Sequence, residues 1–162
     1  MEELKKKIEK LIVTQVGRNH IFTCNEEIEE YETKISLKFP EDYKWFLLNY
    51  CDCMFYFEAK LWPIKADPRS TDGYSPTAYF YGSDINERRN SELWIHEDQY
   101  LPIGDVNGYS LCMGMTEENY GKIYTWVFDE PNIDGTQYYL TAESFTDYIM
   151  RVELPSEKGE AK

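Results

Sequence analysis

The chain has 162 residues, a length that fits one domain and buries roughly two thirds of the surface that the unfolded chain would expose. Its formal net charge of −13 argues against nucleic acid or an anionic membrane as a direct ligand, because both require clustered lysine and arginine side chains. A hydrophobic content of 42%, with 16% aromatic residues, is too high for a disordered chain.

We expect a single domain over residues 1–162, in which residues 1–22 form a helix and a connection and residues 155–162 form a frayed tail. No run has the length of a signal-peptide core or of a membrane-spanning helix, so we expect a cytosolic protein. In the cytosol we expect reduced thiols at the four cysteines, Cys24, Cys51, Cys53 and Cys112.

Helical periodicity dominates the first fifty residues. A first helix is predicted from apolar residues that recur at helical spacing between lysines, namely Leu4, Ile8, Leu11 and Ile12. The run Thr23-Cys24-Asn25-Glu26 has the pattern of a capping box and predicts the start of a second helix. One face of that helix carries Ile28, Tyr31 and Ile35.

A third helix is predicted to start at Phe39-Pro40-Glu41-Asp42. Proline tolerates the first turn of a helix, and the two acids are favourable at a helix N-terminus. The buried stripe of this helix comprises Tyr43, Phe46, Leu47 and Tyr50. Much later in the chain, Ser144 is the predicted cap of a last helix that buries Phe145, Tyr148, Ile149 and Val152.

After Cys53 the pattern changes to short aromatic and β-branched runs separated by turn residues, which is typical of strands. Seven strands are predicted: Met54–Phe57, Leu61–Ile64, Tyr79–Tyr81, Tyr100–Ile103, Tyr109–Met113, Ile123–Phe128 and Gln137–Leu140. Asn107-Gly108 and Asp134-Gly135 are hairpin signals, because both turn positions require positive φ. Ile123–Phe128 is apolar on both parities, which predicts a central strand covered on both faces.

Catalytic motifs are incomplete in this sequence. His96-Glu97 begins like a zinc-protease helix, but Tyr100 stands where the second histidine is required. Ser110 lies in a run that departs from the nucleophile elbow at Cys112, so it is predicted to be an ordinary strand residue. Nothing matches a glycine-rich phosphate loop. We therefore expect no catalytic residue.

Metal and cofactor motifs are equally weak. Asp105-Val106-Asn107-Gly108 shares letters with a calcium loop but lacks its further ligands and its closing glutamate, so a turn is the better interpretation. Cys51-Asp52-Cys53 could bind a soft metal only if Cys112 or a histidine completed the set, and buried thiols are favoured. We expect no metal ion and no cofactor.

The most informative feature is a charge imbalance between Asn90 and Met150. This stretch contains eleven acidic side chains and one basic side chain, Lys122, among seven tyrosines and two tryptophans. The aromatic residues supply a folded core, and unneutralised carboxylates produce a negative potential that attracts a cationic partner. The imbalance indicates a binding protein rather than a catalyst.

Several runs, in their order and spacing, carry a family resemblance. An acidic helix from Glu26 to Glu32 precedes the run from Phe39 to Leu47, and strand-like runs follow from Leu101 to Cys112 and from Gly121 to Trp126. The run from Ala142 to Tyr148 closes the series. Together these runs resemble the SUKH superfamily, which includes bacterial toxin-immunity proteins and fungal cell-wall regulators.

The resemblance implies an α+β fold, with an antiparallel sheet packed against N-terminal helices and a C-terminal helix. It also implies an immunity protein that binds and neutralises a cognate toxin, and the charge favours a cationic toxin, for example a nuclease. The alternative is a regulatory scaffold or adaptor domain that recruits a cellular protein. The expected partner-binding residues are an acidic rim with aromatic anchors: Tyr81, Asp84, Glu87, Trp94, Glu97, Asp98, Glu117, Glu118, Asp129 and Glu130. Trp126 is a further aromatic candidate because it lies near Asp129.

Overall fold

The fold combines helices with an antiparallel sheet, as the sequence predicts. A computed structural model describes residues 2–15, 22–50, 53–55, 59–65, 79–85, 99–106, 109–127 and 137–154. The helices are α1 (Glu2–Leu11), α2 (Asn25–Ile35), α3 (Glu41–Tyr50) and α4 (Phe145–Met150). The strands are β1 (Ile12–Gln15), β2 (Cys53–Phe55), β3 (Lys60–Leu61), β4 (Tyr79–Phe80), β5 (Tyr100–Val106), β6 (Tyr109–Gly114), β7 (Ile123–Val127), β8 (Tyr138–Ala142) and β9 (Val152–Glu153). Among these helices, none has the length and apolar character needed to cross a membrane.

The N-terminal helix is shorter than its apolar periodicity predicts. α1 buries Leu4, Ile8 and Leu11, but Ile12 already belongs to β1, which pairs with β2. Three β-branched residues in succession, Ile12 to Thr14, favour the extended chain over a fourth helical turn. The predicted connection between α1 and α2 therefore contains a strand.

α2 begins one residue later than the capping box predicts. Cys24, rather than Thr23, is the residue with extended backbone angles that precedes the helix, and its side chain makes no capping hydrogen bond. The Glu27 carboxylate instead binds the residue before the cap, accepting a hydrogen bond of 2.6 Å from the Thr23 backbone N–H. The predicted apolar face of α2, with Ile28, Tyr31 and Ile35 buried, is confirmed.

A buried carboxylate joins α2 to α3. The Glu32 side chain has an exposed fraction of 0% and accepts a hydrogen bond of 2.8 Å from the Phe39 backbone N–H. Its two oxygens also form ion pairs with Lys38 at 2.7 Å and with Lys44 at 3.2 Å. Burial alone would raise the pKa of Glu32, but these donors outweigh it and hold the pKa below its ordinary value.

The five-stranded antiparallel sheet has the order β4-β5-β6-β7-β8. β6 is its central strand, and the side chains of Ser110, Leu111, Cys112 and Met113 are all fully buried. Ile123–Phe128 is predicted to be a central strand covered on both faces; its described part, β7, does lie between two strands, β6 and β8, but only one of its faces is fully covered. Ile123 and Thr125 are buried there, whereas Tyr124 and Trp126 on the other face are only partly buried. The predicted strand Tyr109–Met113 is confirmed as β6, which extends one residue further, to Gly114.

Two hairpin turns are predicted from the sequence, and strand pairing confirms the hairpin at the first of them, Asn107-Gly108. Val106 pairs directly with Tyr109, which leaves residues 107–108 as the two-residue connection between β5 and β6. The second predicted turn, Asp134-Gly135, lies outside the described residues.

The core lies between one face of the sheet and the helices. Phe46 of α3 contacts Phe145 of α4 and Phe80 of β4, with ring centroids 4.6 Å and 5.0 Å apart. Asp42 fixes the two helices to each other, because its Oδ2 accepts hydrogen bonds from the Thr146 backbone N–H at 2.8 Å and hydroxyl at 2.9 Å. Ser144 caps α4 as predicted, accepting a hydrogen bond of 3.1 Å from the Asp147 N–H.

The C-terminal end returns to the middle of the chain. β9 pairs with β3, so that Lys60 lies opposite Glu153 and Leu61 opposite Val152. Val152 is buried, as expected, but in this strand rather than on a helix face. The chain after β3 then runs along the outer edge of β8, where the Ile64 N–H donates to the Thr141 carbonyl at 3.1 Å.

We predict that Glu32→Gln destabilises the fold by about 3 kcal/mol at neutral pH, because it removes a buried charge that satisfies two lysines. The exposed Glu29, on the same helix, provides the matched control, and Glu29→Gln should change the stability by less than about 0.5 kcal/mol. Urea unfolding monitored by circular dichroism measures both differences.

The contribution of Glu32 to stability depends on pH, and its lowered pKa gives the direction of that dependence. A carboxylate whose pKa is lowered in the folded state stabilises above its unfolded pKa, and this contribution is lost as the pH falls through the folded pKa. The difference in stability between the wild type and Glu32→Gln should therefore shrink as the solution is acidified below about pH 4.5. A difference that stays constant down to pH 2 would contradict the role of the ionised carboxylate.

Candidate partner-binding surface

Most described acids of the sheet half are used inside the fold. Asp105 accepts a hydrogen bond of 2.5 Å from the Tyr81 hydroxyl, and Glu143 forms an ion pair with Lys122 at 3.5 Å. Asp147 binds Arg151 at 2.9 Å. The single basic residue of this stretch is thus already occupied by a neighbouring carboxylate.

Glu117 and Glu118 differ from these three acids. Both are exposed in the turn that follows β6, and neither has an ionic or hydrogen-bonding partner within the described part of the chain. Lys122, at the end of the same turn, is taken by Glu143. The turn therefore presents two carboxylates whose charge is not neutralised by the described residues around them.

Asn119 holds this turn in one conformation. Its side chain is buried, and its Oδ1 accepts hydrogen bonds of 2.9 Å from both the backbone N–H and the hydroxyl of Thr116. Its backbone carbonyl accepts a hydrogen bond of 3.0 Å from the Lys122 N–H, and the Gly121 N–H donates to the Gly114 carbonyl at 2.9 Å. The turn is therefore stabilised by a backbone hydrogen bond between its two ends and by the Asn119 side chain in its interior.

Two glycines allow the turn to close. A Cβ atom at Gly114 would collide with the Asn119 backbone carbonyl, so this position requires glycine. Gly121 has a φ of +75°, and a Cβ there would lie 3.1 Å from the Pro40 Cγ. The turn therefore packs directly on the segment that starts α3.

Tyr120 is the exposed aromatic residue of the turn, with 46% of its surface accessible to solvent. Partial burial raises the pKa of its hydroxyl, and the nearby carboxylate of Glu32 adds to this while Lys44 opposes it. Glu41, at the start of α3, also contributes to the raised pKa and has a side chain that is 90% exposed. We call Glu117, Glu118, Tyr120 and Glu41 the turn surface.

Tyr120 carries no signal that would single it out in the sequence. It stands alone in a turn, without periodicity or a motif, and sequence reasoning treats it as one of fourteen tyrosines. Its position is visible only once Asn119 and the two glycines fold the turn against Pro40.

Two of the expected partner-binding residues, the anchor Tyr81 and the rim residue Asp84, lie in the interior. Tyr81 has 0% of its surface exposed and Asp84 has 5%, because the Tyr81 hydroxyl bonds Asp105 and the Asp84 carboxylate accepts a hydrogen bond of 3.1 Å from the Gly82 N–H. Neither side chain forms part of the acidic rim in this structure. Of the other expected residues, Glu117 and Glu118 are exposed together, and six lie outside the described residues: Glu87, Trp94, Glu97, Asp98, Asp129 and Glu130.

One sheet face, which carries Tyr100, Tyr124, Trp126 and Tyr138, is rich in aromatic side chains. One cross-strand row runs over all five strands through Tyr79, Asp105, Ser110, Trp126 and Tyr138. The rings of Tyr100 and Tyr138 stack with centroids 3.9 Å apart, and Tyr100 also meets Tyr124 edge to face at 5.1 Å. Trp126, the further aromatic candidate, is partly exposed in this row.

The described residues do not assemble a nucleophile or a metal site. Ser110 is fully buried in β6, in contact with the Cys112 Sγ at 3.7 Å, and burial raises the pKa of the Cys112 thiol to about 12. No group of three or more His, Cys, Asp and Glu side chains could hold a metal ion in the part of the chain that the structure describes. Cys24, Cys53 and Cys112 are not part of a disulfide bond, while Cys51 lies outside the described residues.

Comparison with known proteins agrees with this architecture. No curated protein matches the sequence significantly. The family model of the SMI1 / KNR4 family (SUKH-1) matches residues 24–151, a range that begins just before α2 and ends just after α4. It includes the α2–α3 segment, the five-stranded sheet and the turn surface. The chain therefore belongs to the SMI1 / KNR4 family, SUKH-1.

Proposed function

We propose that this chain is an immunity-type protein that binds a cognate, cationic toxin domain and neutralises it through the turn surface. The observation that carries the proposal is the ordered turn after β6, which exposes Glu117, Glu118 and Tyr120 without a neutralising cation among the described residues. Family membership supports an immunity-type or Smi1/Knr4-type regulatory role, performed by binding another protein.

The charge distribution favours a basic partner. Lysines of α1 pair with acids of the same helix, as in Lys5 with Glu9 at 4.0 Å and Lys6 with Glu2 at 3.8 Å. Lys44 is bound between Glu32 and Glu41. The unpaired carboxylates at the turn therefore act in a molecule of net charge −13, and the summed field attracts a cationic surface over a distance of about one Debye length.

A rigid turn is suited to inhibition because it loses little conformational entropy on binding. Asn119, Gly114 and Gly121 fix the backbone before any partner arrives. Tyrosine is enriched among the residues that dominate binding energies, since it combines a large apolar ring with a polar hydroxyl. Tyr120 provides the anchor, and Glu117 and Glu118 provide the charged margin. If the toxin acts on nucleic acid, these carboxylates take the place of phosphates in its cleft.

The second candidate, a regulatory adaptor that recruits a cellular protein, is favoured by the family description, which names Smi1 and Knr4. The two functions differ in genetic context. An immunity gene lies beside the gene of the toxin that it counteracts, whereas an adaptor has no such neighbour.

Co-expression tests the proposed function directly. We expect the chain to restore growth of cells that express the product of the adjacent reading frame, and to be recovered with that product in a pull-down. A pull-down without the adjacent product, together with unchanged toxicity, would support the adaptor function instead.

We predict that the double substitution Glu117→Lys and Glu118→Lys slows association with the toxin domain roughly tenfold at low ionic strength. The matched control is Glu29→Lys with Glu30→Lys, because these adjacent glutamates are also exposed and the change in net charge is the same. The control should slow association by no more than about twofold.

Stopped-flow measurements over a range of salt concentrations separate the two outcomes. The wild-type rate should fall steeply with added salt, and the rate of the turn variant should depend on salt much less. Equal slowing by the two double variants would assign the effect to overall charge rather than to the turn surface.

A further inference from the structure

The beginning of α3 contains a lysine that is shared by two carboxylates. The Lys44 Nζ lies 3.2 Å from Glu32 Oε1 and 3.2 Å from Glu41 Oε1. The two carboxylates differ in their surroundings, because the Glu32 side chain has an exposed fraction of 0% and the Glu41 side chain one of 90%. We call Glu32, Lys44 and Glu41 the shared-lysine cluster.

The two ion pairs of this cluster contribute unequally to the fold. A buried carboxylate that loses its cation keeps an uncompensated charge in the interior, which is strongly destabilising. The pair between Lys44 and Glu41 joins residues three positions apart on a helix, and it contributes little because Glu41 is almost fully exposed. Glu32 therefore holds Lys44 in place, whereas Glu41 can leave Lys44 at small cost.

Lys44 stays satisfied when Glu41 leaves it. Its Nζ keeps the contact with Glu32, and 21% of its side chain is accessible to solvent, so water can replace the lost carboxylate oxygen. Glu32 also pairs with a second cation, Lys38, at 2.7 Å. Within this cluster, an exchange of partners at Glu41 thus leaves no buried charge unpaired.

Glu41 lies beside the aromatic anchor of the turn surface. Pro40 precedes Glu41 in the chain, and a Cβ atom at Gly121 would lie 3.1 Å from the Pro40 Cγ. Tyr120 precedes Gly121 and is 46% exposed. Burial is the main cause of the raised pKa of Tyr120, and the Glu41 carboxylate adds to it, so this carboxylate is within electrostatic range of the hydroxyl. A basic side chain that contacts Tyr120 is therefore close to Glu41.

We propose that Glu41 is a specificity-determining residue of the turn surface, which exchanges Lys44 for a basic side chain of the partner while Lys44 remains bound to Glu32. The inference rests on the proposed function, which supplies the cationic protein partner. A partner without a basic side chain at this point gains nothing from Glu41, because the carboxylate then stays with Lys44.

This role differs from that of Glu117 and Glu118. Those two carboxylates are not neutralised by the described residues around them, so they attract a cationic partner before contact. The charge of Glu41 is offset by Lys44 in the free protein, so it contributes less to long-range attraction and forms its contact in the complex.

The kinetics of binding separate the two roles. A carboxylate that acts at long range changes mainly the association rate, and one that forms a contact in the complex changes mainly the dissociation rate. We expect Glu41→Gln to raise the rate of dissociation from the adjacent reading frame's product about fivefold. Its association rate should stay within about twofold of that of the control variant. Surface plasmon resonance measures both rates.

Glu26→Gln is the matched control. Glu26, like Glu41, is an exposed glutamate in the first turn of a helix, and its substitution changes the net charge by the same amount. We expect this variant to dissociate at the wild-type rate, because Glu26 lies outside the turn surface.

The free protein tests whether Glu41 is exchangeable. Glu41→Gln should lower the thermal midpoint by no more than about 2 °C, whereas Glu32→Gln should lower it by at least about 6 °C. If both substitutions lowered the midpoint equally, Lys44 would require both carboxylates, and the proposal would be overturned without any partner present.

The proposal is also overturned if the wild type binds the adjacent product and Glu41→Gln dissociates at the wild-type rate. Equal acceleration of dissociation by Glu26→Gln and Glu41→Gln would overturn it as well. In both cases the proposed function stands, because the wild type still binds. Failure of the wild type to bind the product instead rejects the proposed function, together with the partner on which the exchange depends.

Discussion

The structure depends on the buried carboxylate of Glu32. This side chain draws the Phe39 backbone, Lys38 and Lys44 to one point at the end of α2. It thereby fixes the place of Pro40, on which Gly121 packs, and of Asp42, which binds the start of α4 through Thr146. A single ionised group in α2 thus determines where the turn surface lies relative to the core.

The acidic residues divide into those whose carboxylates stabilise the fold and those whose carboxylates remain exposed. Carboxylates that find a donor or a cation serve the fold, as Glu27, Asp42 and Asp147 do at the starts of three helices. Carboxylates that find none within the described chain remain at the surface, as Glu117 and Glu118 do. The excess charge is therefore not spread evenly over the described surface.

The helices could be predicted from the sequence because their signals are local. Pro40 and Ser144 mark helix starts, and the apolar faces of α2 and α3 follow a helical period. The helix-to-strand change at Ile12 could not be predicted from periodicity, because it depends on pairing between β1 and β2, which lie far apart in the chain. For the same reason the middle position of β6 could not be predicted, because the apolar pattern of a strand does not reveal which strands flank it.

The candidate site was predictable only in part. Glu117 and Glu118 could be chosen because adjacent acids in a polar turn are normally exposed. Tyr81 and Asp84 were chosen because they are close in sequence, but exposure depends on the neighbours in space, and these side chains bond Asp105 and Gly82 in the interior. Asp105 stands in a run that shares letters with a calcium loop and in a run that carries the family resemblance, but its register opposite Tyr79 is a property of the sheet and could not be predicted.

Hydrogen–deuterium exchange of the complex with the adjacent reading frame's product tests the central claim most directly. If the toxin domain binds the turn surface, the backbone amides of residues 115–121 become more protected in the complex, while those on the exposed side of α2 keep their free-state exchange rates. Protection confined to α1 and α2, with unchanged exchange at residues 115–121, would contradict the account.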